Sequence, residues 1–403
     1  MRLAIVASHP VQYQAPLFRE VARHLNIVVF YAHRASQADQ AKAGFGVHFD
    51  WDVDLLSGYK SVFLRNVAKD PGLDRISGCD TPEIAARLAN GDFDAVLVLG
   101  WHFKAYLQAI FAAKRLRLPV IVRGDSHLDS PRSALKKVAK VFGYPPLLRL
   151  FNAGLYVGKR SRAYWTHYRY PADRLFFSPH CIDNEWFSAR ATVAARNSLR
   201  AQLGISVDAK VALFAGKLLP FKRPLDLVSA AAQLRVNGQG IVILVAGAGP
   251  LEQEVTAAAR MARITLHTLG FCNQTQMPAV YAAADVLVLP SSSRETWGLV
   301  ANEALACGRP VILSDAVGAA PDLVADKTAG RVFPLGDIAA LTAVLHDIVE
   351  SPPTRAMIAA KSEAYSLGAA AGGIEAALTR VVRRKSDPLQ CNPPSPCKRS
   401  SGD

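Results

Sequence analysis

The chain lacks a long apolar segment. No run reaches the roughly 18 uninterrupted apolar residues that propose a membrane-spanning helix. Met1-Arg2 leads straight into residues 3–7, a short apolar run that reads as a first strand and not as a secretory core. Cysteine is sparse: Cys79, Cys181, Cys272, Cys307, Cys391 and Cys397 are scattered, and none is spaced with histidines as a metal ligand set. The first four lie in or beside apolar segments, which predicts reduced, buried thiols and a cytosolic compartment. Cys391 and Cys397 form a pair without an assigned role. Acid is also in deficit. With 47 Lys and Arg against 33 Asp and Glu, the net charge is +14. That balance favours anionic partners, whether phosphorylated ligands, nucleic acid or an acidic membrane face. No zinc finger or aromatic RNP pattern accompanies it, so no nucleic-acid partner is expected.

What is present is alternation of strand and helix over nearly the whole length. The 403 residues, half of them hydrophobic, suffice for two domains. Apolar runs at 3–7, 27–31, 95–99, 120–122 and 155–157 read as strands. Residues 82–90 read as a helix capped by Thr81 with Pro82 at its first position, and 103–117 as an amphipathic one. Residues 51–64 and 68–79 are irregular and read as loops. A charged helical stretch at 189–203 follows a change of pattern near 175–183. Strand–turn–helix units then repeat at 211–216, 241–249, 264–270, 285–290 and 310–314, followed by helices at 338–350 and 356–364. The class is α/β with parallel sheets, and the second half is Rossmann-like. The boundary falls near 183–208. From residue 385 the chain is rich in Pro, Ser and basic residues without apolar periodicity, which predicts a disordered basic tail over 385–403.

The richest stretch is SSRETWGLVANEALACGRPV, residues 292–311. Glu295 and Glu303 bracket a glycine turn and the start of an Ala/Leu-rich helix, between two predicted strands. In open α/β sheets that crevice takes ligands, and a helix N-terminus there suits phosphate. A second basic turn, GKLLPFKRP at 216–224, ends a strand and offers Lys217 and Lys222. Breaking a sugar–diphosphate bond builds charge on the leaving phosphate, and cations and N–H donors must meet it.

These motifs resemble the retaining glycosyltransferases of the GT-B fold, of the large family 4-like, group 1 type. Their signature is two glutamates flanking seven residues, E-x-F-G-L then E-A-x-A-x-G-x-P-V, with Trp297 here in the Phe place. The resemblance is strong over about residues 205–345. It implies two Rossmann-like domains facing each other across a cleft: residues 1–185 on the acceptor side, 186–366 on the donor side. A helix over 367–384 then crosses back to the first domain. It implies that Glu295 touches the donor sugar and Glu303 the ribose hydroxyls. Lys217 and Lys222 follow the family's G-R/K-L-x-x-x-K motif after Gly216 and would bind the pyrophosphate. Gly298 and Leu299 would offer backbone N–H groups, and Phe271 would lie against the base. Gly247-Ala248-Gly249-Pro250-Leu251 matches the family's G-x-G-P-L, which shapes the donor crevice. His127, in the loop after residues 120–122, would face the donor sugar from across the cleft with Asp125 as its partner. Pro179-His180-Cys181-Ile182-Asp183 and Phe187 resemble the interdomain P-N-G-V-D-x-x-x-F with Asn and Gly replaced. Many relatives carry a Gly-Gly pair after the first strand. This chain has His9 and then Gln12, Tyr13 and Gln14, so that loop either gives the donor fewer contacts or serves the acceptor.

The resemblance therefore implies transfer of a hexose from a UDP- or GDP-sugar to a hydroxyl of a glycan or lipid-linked acceptor, with retention. Catalytic roles fall to Glu295, His127, Lys217 and Lys222. No metal and no cofactor beyond the donor are expected. The basic, apolar segment 131–152, with Arg132, Lys136, Lys137, Lys140 and Arg149, reads either as an amphipathic surface helix or as a peripheral contact with anionic membrane on the cytoplasmic side. Two other readings share these motifs: a sugar-nucleotide epimerase of the same fold, and a non-catalytic nucleotide-sugar-binding subunit.

Overall fold

The computed structural model describes residues 1–42, 46–129 and 134–386, with backbone alone for 134–139 and 384–386. The first sheet is built from β1 (Arg2–Ala7), β2 (Asn26–Tyr31), β3 (Lys60–Phe63), β4 (Ala95–Val98), β5 (Val120–Gly124), β6 (Ala153–Tyr156) and β7 (Leu175–Phe177). All pair in parallel in the order β3-β2-β1-β4-β5-β6-β7. The second sheet holds β8 (Val211–Ala215), β9 (Val242–Ala246), β10 (Leu266–Thr268), β11 (Val286–Leu289), β12 (Val311–Ser314) and β13 (Gly330–Phe333). It is also parallel, in the order β10-β9-β8-β11-β12-β13. In both sheets the order reverses direction beside the first strand, at β1/β4 and β8/β11. A crevice opens at such a switch point, beyond the carboxyl ends of the strands.

The central strands are buried on both faces. Leu3, Ile5, Leu213, Leu287 and Leu313 have no exposed surface, and neither do their alternating neighbours Ala4, Val6, Ala212, Val288 and Ile312. Helix-covered parallel strands read as continuous apolar runs for this reason. The last helix, Leu367–Ser386, lies on the first sheet. Ala370, Ile374, Ala377, Leu378 and Val381 join the core formed with β1, β2 and β4. Burying its three larger side chains contributes roughly 6 kcal/mol to holding it there. The two-domain GT-B-type architecture with a returning helix is therefore present.

Several local expectations change. Residues 60–63 form β3, an edge strand, inside a stretch read as loop, and β13 was not anticipated. The stretch 189–203 is two helices, Asn184–Arg190 and Val193–Gln202, each with its own cap: Asp183 accepts from Trp186 N–H at 2.9 Å, and Thr192 from Ala195 N–H at 3.1 Å. Thr81 is not a cap. A turn in which Ile84 N–H donates to Thr81 O precedes the helix Ile84–Ala89, leaving Thr81 outside it. The final helix runs to Ser386, past the predicted start of the tail. Residues 387–403, with Cys391 and Cys397, lie outside the described residues, as does Arg132. Among the described residues no helix is long and apolar enough to cross a membrane.

Candidate active site

Nearly all the predicted donor residues converge on one cleft of about 430 Å³ at the C-terminal ends of the second sheet. Gly216, Lys217 and Lys222 reach it from the turn after β8. Glu295, Gly298, Leu299 and Glu303 reach it from the turn and helix after β11, and Phe271 from the loop after β10. Two glycines make the geometry. Gly298 takes φ +98° as the residue preceding the helix Leu299–Ala306, a left-handed conformation that side-chain-bearing residues avoid. The first turn of that helix lines the cleft, so its positive end faces the ligand space. Gly247 takes φ +149°, and a Cβ there would overlap the carbonyl of Gly216. The Gly247–Gly249 turn thus first serves close packing of the β8 and β9 loops, and Gly247 and Ala248 line the cleft as a consequence.

The charges in the cleft hold one another. Lys222 Nζ pairs with Glu295 Oε2, both largely buried. Ser291 Oγ lies 3.4 Å from the same carboxylate oxygen. Lys217 has its pKa lowered by burial first and then by the nearby Lys222, with Glu295 opposing. The two ammonium groups repel, and an anion between them relieves that repulsion. Glu303 is 8% exposed and accepts a hydrogen bond from the Tyr281 hydroxyl at 2.6 Å. Burial pushes its carboxyl up to about 7, against the hydrogen bonds from Tyr281 and Gln274.

Trp297 explains its own departure from the family pattern. It is 4% exposed, and its indole N–H donates to Asn302 Oδ1 at 2.8 Å. Its ring fills the space over Gly158, where any Cβ would overlap it, and lies 5.6 Å from His180 and 5.8 Å from Tyr365. The larger ring therefore joins the two domains through a glycine that makes room for it.

His127 is not brought to the donor cleft. It is 1% exposed, lines neither that cleft nor its neighbour, and its Nδ1 sits 3.8 Å from Asp129. Asp125 takes the cross-cleft position instead. Thr296 Oγ1 donates to its Oδ2 at 3.2 Å, and His180 Nε2 is 3.8 Å from the same oxygen. Burial opposes ionisation of Asp125, but the His180 and Thr296 contacts hold its carboxyl well below the usual range. Burial also lowers His180. The difference is one of direction: Asp125, just past the end of β5, faces the crevice, and two residues on the chain has turned His127 inward.

The loop after β1 divides between two clefts. Gln12 lines the donor cleft, while His9, Tyr13 and Gln14 line a neighbouring cleft in the first domain. A first-domain strap also crosses over. Phe49 stacks on Phe271 with centroids 4.3 Å apart, Asn273 donates to Asp50 O at 2.8 Å, and Asp52 accepts from Thr275. Trp51 thereby enters the donor cleft. Asp52-Val53-Asp54 has the letters of a metal-binding D-x-D, but Asp52 serves the strap and Asp54 accepts from Leu56 and Ser57. Among the described residues no group of three His, Cys, Asp or Glu gathers as a metal site.

Residues 195–364 match the family model described as Glycosyl transferases group 1. That segment is similar to the group 1 glycosyltransferases. D-inositol 3-phosphate glycosyltransferase of Mycolicibacterium smegmatis is 33% identical over 220 residues, covering 52% of this chain and 48% of that protein. The enzyme of the same name from Streptomyces bingchenggensis is 36% identical over 170 residues, 39% of this chain and 36% of that one. The chain thus spans about half, or less, of the length of these curated relatives. Two solved structures share the whole fold. A glycosyltransferase from Rickettsia africae superposes with a TM-score of 0.70 at 13% identity, covering 95% of this chain and 98% of that one. Anabaena HepE, solved with UDP, gives 0.68 at 16% identity, covering 94% and 100%. The shared architecture is GT-B.

In the segment that matches the family model, Arg294 also lines the cleft, its guanidinium 4.9 Å from the Phe221 ring centre. It sits beside Glu295 in the motif, yet no pattern marked it. Cys79, Cys181 and Cys307 are buried free thiols, as expected, whereas Cys272 is partly exposed and borders the donor cleft.

Proposed function

We propose that the protein is a retaining hexosyltransferase that takes its sugar from a nucleotide diphosphate and delivers it to a hydroxyl acceptor. The observation that carries this reading is the convergence of Lys217, Lys222, Glu295 and Glu303 on one cleft roofed by first-domain residues. The diphosphate would sit between the two lysines and against the start of helix Leu299–Ala306. It would draw Lys222 from Glu295, freeing that carboxylate to accept from a sugar hydroxyl. Glu303 would accept from the ribose hydroxyls. Of the two donor nucleotides, UDP is favoured because HepE is solved with it. The leaving phosphate, stabilised by the lysines, would take the acceptor proton on the face from which it departs. Roofing by Gln12 and Trp51 limits water and hence donor hydrolysis. The acceptor is a glycan or lipid-linked intermediate, and the site of action the cytoplasm. Val141 and Phe142 are exposed on the helix Ala134–Leu148, which favours peripheral contact with membrane.

The test is nucleotide release from a panel of UDP- and GDP-sugars, with and without cell-envelope lipid, alongside calorimetric binding of UDP and GDP. Binding of one nucleotide at micromolar affinity is expected, with at least a tenfold loss in Lys222→Ala. Wild-type affinity in that variant would remove the lysines from the diphosphate.

A further inference from the structure

The neighbouring first-domain cleft, about 400 Å³, lies at the ends of β1, β4 and β5. It adjoins the donor cleft through the Thr296–Asp125 hydrogen bond. Its three histidines carry little charge at neutral pH: burial lowers His9 to about 4, and lowers His102 and His180 as well. The charges left on its wall are Asp125, Arg123 and Lys140, a net positive set.

Both cations are held in place. Arg123 is 7% exposed and uses Nε and Nη2 on the carbonyls of Ser178 and Pro179. Its Nη1 makes no hydrogen bond among the described residues, and a guanidinium keeps its charge even when buried. Lys140 Nζ is 3.2 Å from the Tyr164 hydroxyl and 4.6 Å from the Tyr144 ring centre. Neither partner is an anion. Trp101 and Tyr144, 6.1 Å apart and nearly perpendicular, form an aromatic wall of the kind that packs against the C–H face of a sugar ring. A neutral acceptor would leave the net positive charge of this wall uncompensated, which is costly in a partly desolvated site.

We propose that this cleft takes an acceptor sugar bearing an anionic group, a carboxylate or a phosphate, which pairs with Lys140 and Arg123. The reactive hydroxyl then lies at the Asp125 end, beside the donor cleft. The assignment rests on the transferase reading for the word acceptor, but its charge preference is measurable without turnover.

The experiment titrates the full chain with glucose, glucuronate and glucose 6-phosphate in the presence of saturating UDP, so that the lysines of the donor cleft are occupied. At least one anionic sugar is expected to bind tenfold or more tightly than glucose, and the two anions distinguish carboxylate from phosphate. Lys140→Gln should lose at least fivefold of that preference with UDP affinity unchanged, and Lys140→Arg should restore it. Equal affinity for all three sugars, no measurable binding of either anion, or an undiminished preference in Lys140→Gln overturns the proposal. Failure of UDP to bind the wild type counts separately against the transferase reading, because the sugar comparison is read in the same samples.

Discussion

Glu303 carries the sharpest consequence at the scale of single residues. Its carboxyl rises from the ordinary 4.5 to about 7 because burial disfavours the charge. Below about pH 4.5 it is protonated in both folded and unfolded chains. Between 4.5 and about 7 the unfolded chain releases a proton that the folded one retains, so stability is lost over that window, by roughly 3 kcal/mol. Glu303→Gln keeps the shape without the ionisation. Its melting temperature should match wild type at pH 5 and exceed it by about 5 °C at pH 8. If Glu303 holds the ribose, the same variant should bind UDP about tenfold more weakly at pH 8. Wild-type UDP affinity should also rise from pH 6 to pH 8, since the ionised carboxylate accepts from two hydroxyls at once. A flat pH profile in calorimetry would remove Glu303 from the ribose. The acid and lysine pairs were legible because each sits where a strand ends, with a glycine beside it. Asp125 was quoted only as a partner for His127, since nothing in Arg123-Gly124-Asp125-Ser126-His127 says which side chain turns outward.

Among elements, central strands were legible, whereas of the four edge strands only β10 was. β4, β8 and β11 are unbroken apolar runs because helices cover both faces. β3 and β13 carry Lys60, Ser61 and Arg331 on the outermost positions of their sheets, where one side meets solvent, so no run survives to be read. The loops were harder still, because their positions depend on close approaches between separate turns. Gly247 is such a case. Gly247→Ala places a methyl group against the Gly216 carbonyl at a φ of +149°. The β8 turn must move, and Lys217 with it. The variant should fold, with a melting temperature several degrees lower, and lose at least tenfold in UDP affinity. An alanine variant with wild-type calorimetry would mean that the turn adapts, and that Lys217 does not depend on its packing.

The whole molecule is described in a closed arrangement, and the contacts that close it come from both domains. Lys159 N–H donates to the Asp322 carboxylate at 3.0 and 3.1 Å, and Arg160 reaches the carbonyls of Asp315 and Ala316. The strap adds the Phe49–Phe271 stack and the Asp50 and Asp52 contacts. At the centre, Trp297 fills the space that Gly158 leaves. None of these pairs was visible in sequence, because each joins residues well over a hundred positions apart. They matter because the two clefts share a wall only while the domains are together: the Thr296–Asp125 hydrogen bond spans that wall. Gly158→Ala tests the linkage. Its methyl would displace the Trp297 ring and loosen the seam without touching either cleft's charged groups. Small-angle scattering should show a larger radius of gyration than wild type. UDP affinity should fall less than threefold, because Lys217, Lys222 and Glu303 all belong to the second domain. Transfer should fall more than tenfold, and the share of donor lost to water should rise. If transfer and scattering both stay at wild-type values, the seam is not what brings donor and acceptor together.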